Sequence, residues 1–142
     1  MRGKSRRIFG FFTTRNPKLK TQNFFMDIET LREYCLSKPG TTENFPFDEV
    51  TLVIRVVNKI FVFLPLDNPT SIALKCQPER AVALREAYPE ITPGWHLNKN
   101  HWNTVGLDGN LTGAFIFQLV DHSYELVVAG LKKAEKEMLK NL

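Results

Sequence analysis

The chain has 142 residues, of which 43% are hydrophobic and 24% charged, a length and composition typical of a soluble globular protein of one domain. No apolar stretch approaches the ~20 residues that a membrane span needs. The net charge of +4 is uneven: residues 1–25 carry seven basic and no acidic side chains, whereas the remaining residues carry 12 basic and 15 acidic ones and sum to −3, which argues against nucleic-acid binding by overall charge alone.

Residues 1–25 are interpreted as a basic, disordered extension, and Met26 as the first residue of the domain. The apolar patch at residues 8–12 is too short for the core of a signal peptide. The extension is either an addition that does not belong to the natural protein, from an over-long gene start or a vector, or a functional arm. As an arm it would bind phosphate or rest on an anionic membrane surface.

The first half of the domain predicts one helix and three strands. Asp27 can cap a helix over residues 27–37, which Pro39 and Gly40 end. A polar loop follows, and its acidic residues are expected to be solvated, to bind a basic partner or to repel DNA; they are Glu43, Asp48 and Glu49. The strand-like runs at residues 51–56, 59–64 and 71–76 are so closely spaced that they predict an antiparallel meander.

The second half predicts two helices around a second hairpin. A helix begins near Pro78 and ends at Pro89, and a loop over residues 92–94 follows. The hairpin pairs residues 95–98 with residues 101–107, and its tip is residues 98–100. The last helix extends from residues 111–113 to about residue 139, with Gly130 weakening its interior. The order α-β-β-β-α-β-β-α predicts an α+β fold in which helices lie on one face of an antiparallel sheet.

The second hairpin holds the candidate site because it combines two Trp, two His, one Lys and three Asn, which suits stacking on a ligand and hydrogen bonding to it. The candidate nucleic-acid-binding or ligand-binding residues are Trp95, His96, Asn98, Lys99, Asn100, His101, Trp102 and Asn103. The alternatives are that the tryptophans pack against the core and that the histidines are structural. Spacing identifies no third ligand beside the histidines, so no metal site is predicted.

No catalytic constellation is evident, and we predict a non-enzymatic protein without a cofactor. Cys35 and Cys76 lie at apolar-periodic positions without a CxxC motif, so buried free thiols in a reducing cytoplasm are expected. Ser123 falls within the apolar stripe of the last helix, and His122 lies beside that stripe. Neither belongs to a recognisable nucleophile–base arrangement.

Four segments resemble the MmcQ/YjbR family of small bacterial proteins. They are the opening helix and its stop at residues 31–40, the acidic-aromatic loop at residues 43–47, the hairpin motif at residues 96–105 and the helix signature at residues 121–127. The resemblance covers nearly all of residues 26–142. It implies a YjbR-like, secretion-chaperone-like α+β fold, also described as CyaY-like or frataxin-like.

The resemblance also implies a function, because such proteins are often described as DNA-binding by similarity to a "double wing" domain. We therefore expect a binding protein that contacts DNA through the hairpin of residues 95–105. A localised basic surface would support this role, and its candidates are Arg55, Lys59, Lys75 and Lys99. The alternative is an adaptor that binds a protein or a small ligand on the same Trp/His/Asn surface. A third, weaker possibility is an enzyme centred on His96 and His101.

Overall fold

A computed structural model describes residues 26–94 and 97–142, so the extension, Trp95 and His96 lie outside the described residues. The described residues form four helices and six strands. The helices are α1 (Ile28–Leu36), α2 (Pro78–Ala87), α3 (Gly113–Ala129) and α4 (Lys133–Lys140). The strands are β1 (Thr41–Asn44), β2 (Thr51–Val56), β3 (Lys59–Pro65), β4 (Ser71–Lys75), β5 (Ile91–Pro93) and β6 (Trp102–Gly106).

The strands form one antiparallel sheet in the order β1-β2-β3-β4-β6-β5. Helix α1 packs near β1, α2 near β5, and α3 across β2, β3 and β4. In β4, Ile72 and Leu74 are buried beneath α3, whereas Ser71, Ala73 and Lys75 alternate toward the opposite face. The predicted α+β class and the predicted meander of β2, β3 and β4 are thus confirmed.

The edge strands differ from the prediction. Residues 41–44 were assigned to a loop, but they form β1, whose polar sequence carries no hydrophobic alternation. The strand that pairs with β6 is β5 at Ile91–Pro93; of the predicted strand at residues 95–98, the described residues Leu97 and Asn98 belong to no strand. Pro93 is tolerated because β5 is an edge strand, where a proline need not donate a ladder hydrogen bond.

The predicted last helix is two helices. α3 ends at Ala129, and the N–H of Gly130 bonds back to the carbonyl oxygen of Leu126. α4 then starts after Lys132, whose N–H donates to Oε1 of Glu135 at 3.0 Å. Among the described helices, none has both the length and the apolar character needed to cross a membrane.

Two of the segments that carry the family resemblance, residues 31–40 and 121–127, are in contact in the folded molecule. The hydroxyl of Tyr34 donates to Oδ1 of Asp121 at 2.7 Å, and Nζ of Lys38 lies 2.5 Å from the same oxygen. Tyr124 donates to the carbonyl oxygen of Pro39 at 2.7 Å. Burial opposes ionisation of Asp121, but hydrogen bonds from Lys38 and Tyr34 outweigh it and hold its pKa below the usual value. This cluster fixes α3 against the end of α1.

Candidate functional site

Strands β3 and β4 separate at one end of the sheet. β3 has a β-bulge at Phe61. In β2, Ile54 pairs with Val62 and Arg55 pairs with Ile60, so Phe61 has no partner in β2. The register of β3 with β4 would bring Phe61 opposite Lys75. Instead, Oγ of Ser123 on α3 accepts from the N–H of Lys75 at 2.9 Å and donates to the carbonyl oxygen of Phe61 at 2.6 Å. The serine predicted in the apolar stripe therefore joins the two strands.

A cleft of about 370 Å³ opens where these strands separate. The turn between β2 and β3, the end of β4, the start of β6 and the last turn of α3 surround it. Its lining combines cations with apolar groups: Arg55, Asn58, Lys59, Ile60, Lys75, Trp102, Leu126, Val127 and Gly130. Three of the four cations that the sequence suggested thus meet beside one of the two tryptophans.

The charge of this cleft is positive. None of the described residues that line it is acidic. The C-terminal end of α3 contributes the equivalent of about half a negative charge, which the three full charges of Arg55, Lys59 and Lys75 exceed. Arg55 is oriented by a bond from Nη1 to the carbonyl oxygen of Asn58 at 3.3 Å. The cleft can therefore accept an anion beside an aromatic ring.

The predicted hairpin tip is an ordered turn next to this cleft. The carbonyl oxygen of Asn98 accepts from the N–H groups of His101 and Trp102 at 3.1 and 3.0 Å. The side chain of Asn98 accepts from the N–H of Asn100 at 2.9 Å, and the carbonyl of His101 accepts from the N–H of Cys76 at 2.8 Å. The side chains of Asn98, Lys99, Asn100 and His101 are exposed. These four candidate residues are therefore accessible on one turn.

Asn103 differs from the other candidates because it is only 2% exposed and points toward the helices. Its Oδ1 accepts from Nε of Arg85 at 2.7 Å, and its Nδ2 donates to the carbonyl oxygen of Ala81 at 3.4 Å. Arg85 also donates to the carbonyl oxygen of Lys99. Asn103 and Arg85 therefore fasten the turn to α2, and we leave Asn103 out of the candidate surface. Sequence reasoning missed Arg85, since nothing in α2 indicates its distant partner.

The remaining titratable residues favour structural roles. Both cysteines are free and buried, as predicted, and burial raises the pKa of Cys35 to about 12. Cys76 and His122 line a small cavity of about 10 Å³. Burial raises the pKa of Cys76, and burial followed by the charge of Arg80 lowers that of His122. Nε2 of His122 accepts from the N–H of Gln77 at 3.3 Å. Both groups are thereby held in their neutral forms.

Of the acidic residues predicted in a loop, Glu43 lies in β1 and Asp48 in the loop after it, and both are tied into the fold. Both carboxylate oxygens of Glu43 accept from Arg32, at 2.7 and 2.6 Å, which lowers the pKa of Glu43. Asp48 accepts from the N–H groups of Val50 and Thr51 at 2.9 and 2.7 Å. Within residues 26–94 and 97–142, no three His, Cys, Asp or Glu side chains group closely enough to hold a metal ion.

The sequence model of the YjbR family matches residues 36–126 of this chain. The chain is 36% identical over 118 residues to the uncharacterised protein YjbR of Escherichia coli K12, an alignment that covers 82% of this chain and all of that protein. It is 26% identical over 113 residues to the uncharacterised protein YyaQ of Bacillus subtilis, covering 69% of this chain and 95% of that protein.

A solved structure is also similar. The crystal structure of a Deinococcus radiodurans protein with a DUF419 domain superimposes with a TM-score of 0.76 at 38% sequence identity. The superposition covers 84% of this chain and 92% of that protein.

Proposed function

The chain belongs to the YjbR family, and from that premise we propose that it is a non-enzymatic nucleic-acid-binding protein. The proposed contact surface is the cleft lined by Arg55, Lys59, Lys75 and Trp102, together with the exposed turn of residues 98–101. Phosphates would lie against the cations, and the turn would supply a lysine and amide side chains for further hydrogen bonds.

One observation carries this proposal: three cations gather around a half-buried tryptophan in a domain whose net charge is −3. The three charged side chains that line the cleft are all basic, although residues 26–142 hold 12 basic and 15 acidic residues. The combination of phosphate-binding cations and a stacking ring is the one that nucleic-acid-binding grooves use.

The test is fluorescence anisotropy of the full chain with a 20-nucleotide DNA, supplied both as a single strand and as a duplex, at salt concentrations between 50 and 200 mM. The salt slope is the magnitude of the slope of the logarithm of the binding constant against the logarithm of the salt concentration. Each phosphate contact contributes about 0.7 to this slope for a single strand and about 0.9 for a duplex. The variant Lys59→Gln/Lys75→Gln should therefore reduce the slope by about 1.4 or 1.8 and weaken binding at low salt. Lys99→Ala should weaken binding further.

The matched control removes two exposed cations elsewhere, in Lys136→Gln/Lys140→Gln on α4. It retains the seven basic residues of the extension, as the cleft variant does, so nonspecific binding by residues 1–25 cancels in the comparison. Equal slopes for the two variants, or no binding of either DNA at 50 mM salt, would refute the proposal.

A second candidate is a small anionic ligand in the same cleft. The cleft volume of about 370 Å³ lies within the range of small-molecule sites. A mononucleotide that binds the full chain and displaces no DNA from it would favour this alternative. Competition between the two would instead favour the nucleic-acid proposal.

The non-enzymatic part of the proposal is supported by Cys76, because burial raises the pKa of its thiol, whereas a nucleophilic cysteine needs a lowered one. The two free buried cysteines also support our proposal that the protein works in a reducing cytoplasm.

A further inference from the structure

The face of the sheet that turns away from the helices carries a continuous row of aromatic rings. The ring centroids of Phe63 on β3 and Trp102 on β6 are 5.2 Å apart, edge to face. The strand between them, β4, contributes Ala73, which pairs with Phe63, and a methyl side chain there leaves space for the two rings to meet. Phe47 extends the row, with its centroid 6.3 Å from that of Phe63.

Phe47 is unusual because 66% of its surface is exposed, although its ring packs almost parallel to Phe63 at 21°. Exposing a phenylalanine costs hydrophobic stabilisation that a buried position would provide. Phe63 and Trp102 are half-buried, so each still presents part of its ring to solvent. The row therefore offers aromatic surface to a ligand at three neighbouring positions.

The charged strand side chains of the open face are basic. Arg55 and Lys75 lie on the same face as the aromatic row, since Arg55 follows Val53, the partner of Phe63, by two residues and Lys75 pairs with Trp102. The acidic residue of the neighbouring edge strand, Glu43, points to the helix side and is bound by Arg32. The strand residues of the open face include cations and no described acidic residue.

We infer that this open face binds single-stranded nucleic acid, with bases stacked on Phe47, Phe63 and Trp102 and phosphates against Arg55 and Lys75. The inference rests on the proposed function and specifies the state of the strand. Base faces are free for stacking only when a strand is unpaired. A duplex hides its base faces and is held chiefly by broad positive fields, which residues 26–142, at −3, do not provide.

The test measures binding of the full chain to fluorescein-labelled oligothymidine and oligouridine of 15 nucleotides, with an unlabelled 15-base-pair duplex as competitor. The decisive variants are Phe47→Leu and, as its control, Phe45→Leu, since both residues are exposed phenylalanines of one loop and only Phe47 belongs to the row. Phe47→Leu should weaken single-strand binding about 5- to 150-fold, the effect of losing one stacked base. Phe45→Leu should leave it unchanged.

Both oligonucleotides should bind, because stacking on aromatic rings tolerates different bases and sugars. Trp102→Leu should weaken binding by a similar factor. If Trp102→Leu does not fold, the comparison of Phe47→Leu with Phe45→Leu still decides the test. Binding of the duplex as tight as that of the single strand would overturn this inference and leave the proposed function standing. Equal effects of Phe45→Leu and Phe47→Leu would also overturn it. Binding of neither nucleic acid would refute the proposed function itself.

Discussion

Two polar side chains are buried among the described residues, Ser123 and Asn103, and both hold the structure around the cleft. Ser123 bridges the strands where they separate, and Asn103 anchors the start of β6 to Arg85. The sequence places both residues in recognisable motifs. It cannot identify their partners, because each partner lies in another element and contributes no local signal.

The bridge made by Ser123 predicts a large effect from a small change. Ser123→Ala would leave the N–H of Lys75 and the carbonyl oxygen of Phe61 without their present partner in a buried position. We expect the free energy of unfolding to fall by about 1–3 kcal/mol in urea denaturation. Ser71→Ala, at a half-buried site on β4, is the control and should change it by less than about 0.5 kcal/mol. Similar losses in both variants would contradict the bridge.

The ion pair of Arg32 with Glu43 predicts a pH dependence. The hydrogen bonds from Arg32 lower the pKa of Glu43 from 4.5, so the pair's contribution is fully present above pH 4.5 and is lost as the pH falls through the pKa of the folded state. Because the pair is partly exposed, Glu43→Gln should cost no more than about 1 kcal/mol at pH 7.

Urea denaturation of the unaltered protein and of Glu43→Gln between pH 3 and pH 7 checks this prediction. The loss in the free energy of unfolding caused by Glu43→Gln should shrink below pH 4.5. Glu49→Gln, at an exposed site in the loop that follows β1, is the control and should show no such trend. A cost that is constant across this range would contradict a role for the charge of Glu43.

At the scale of the elements, the central strands and the interior helices could be predicted, and the edges could not. β4 alternates between buried and half-buried positions, and β2 and β3 are apolar runs with consecutive buried residues, a pattern that still indicates strands of the core. β1 and β5 pair on one side only and carry polar or proline residues, so their sequences resemble loops. The break between α3 and α4 begins at Gly130, the C-cap of α3. The sequence indicates that Gly130 weakens a helix but does not show that the helix ends there.

The attachment of the turn to α2 predicts a local loosening when Arg85 is replaced. Arg85→Met removes the bonds to Asn103 and to Lys99, so we expect faster amide hydrogen exchange at His101 and Trp102. Unfolding should become easier by about 1–3 kcal/mol, because Oδ1 of Asn103 stays buried without that partner. The double variant Arg85→Met/Asn103→Leu should regain part of this loss.

The control for Arg85 is Arg80→Met on the same helix, whose side chain makes no hydrogen bond to the described residues. It should leave exchange at His101 and Trp102 unchanged. If Arg85→Met likewise leaves these amides as slow as before, the turn is held by its own backbone bonds alone.

At the scale of the whole molecule, the family and the fold class were predictable from local motifs. Two of these motifs are in contact in the folded structure. The end of α1 binds the middle of α3 through Lys38 and Asp121, so the two segments depend on each other. The site was predicted only in part. The turn and Trp102 were identified, and three of the suggested cations line the cleft, but the aromatic row depends on strand register that no local pattern reveals.

The most direct test of the central claim is a titration of the ¹⁵N-labelled full chain with 15-nucleotide oligothymidine, followed by two-dimensional amide NMR. We predict shifts at the amides of Arg55, Lys59 and Lys75 and at the indole N–H of Trp102. This measurement separates the cleft from the basic residues 1–25 within one molecule. Shifts confined to residues 1–25, or to α1 and α4, would contradict the account.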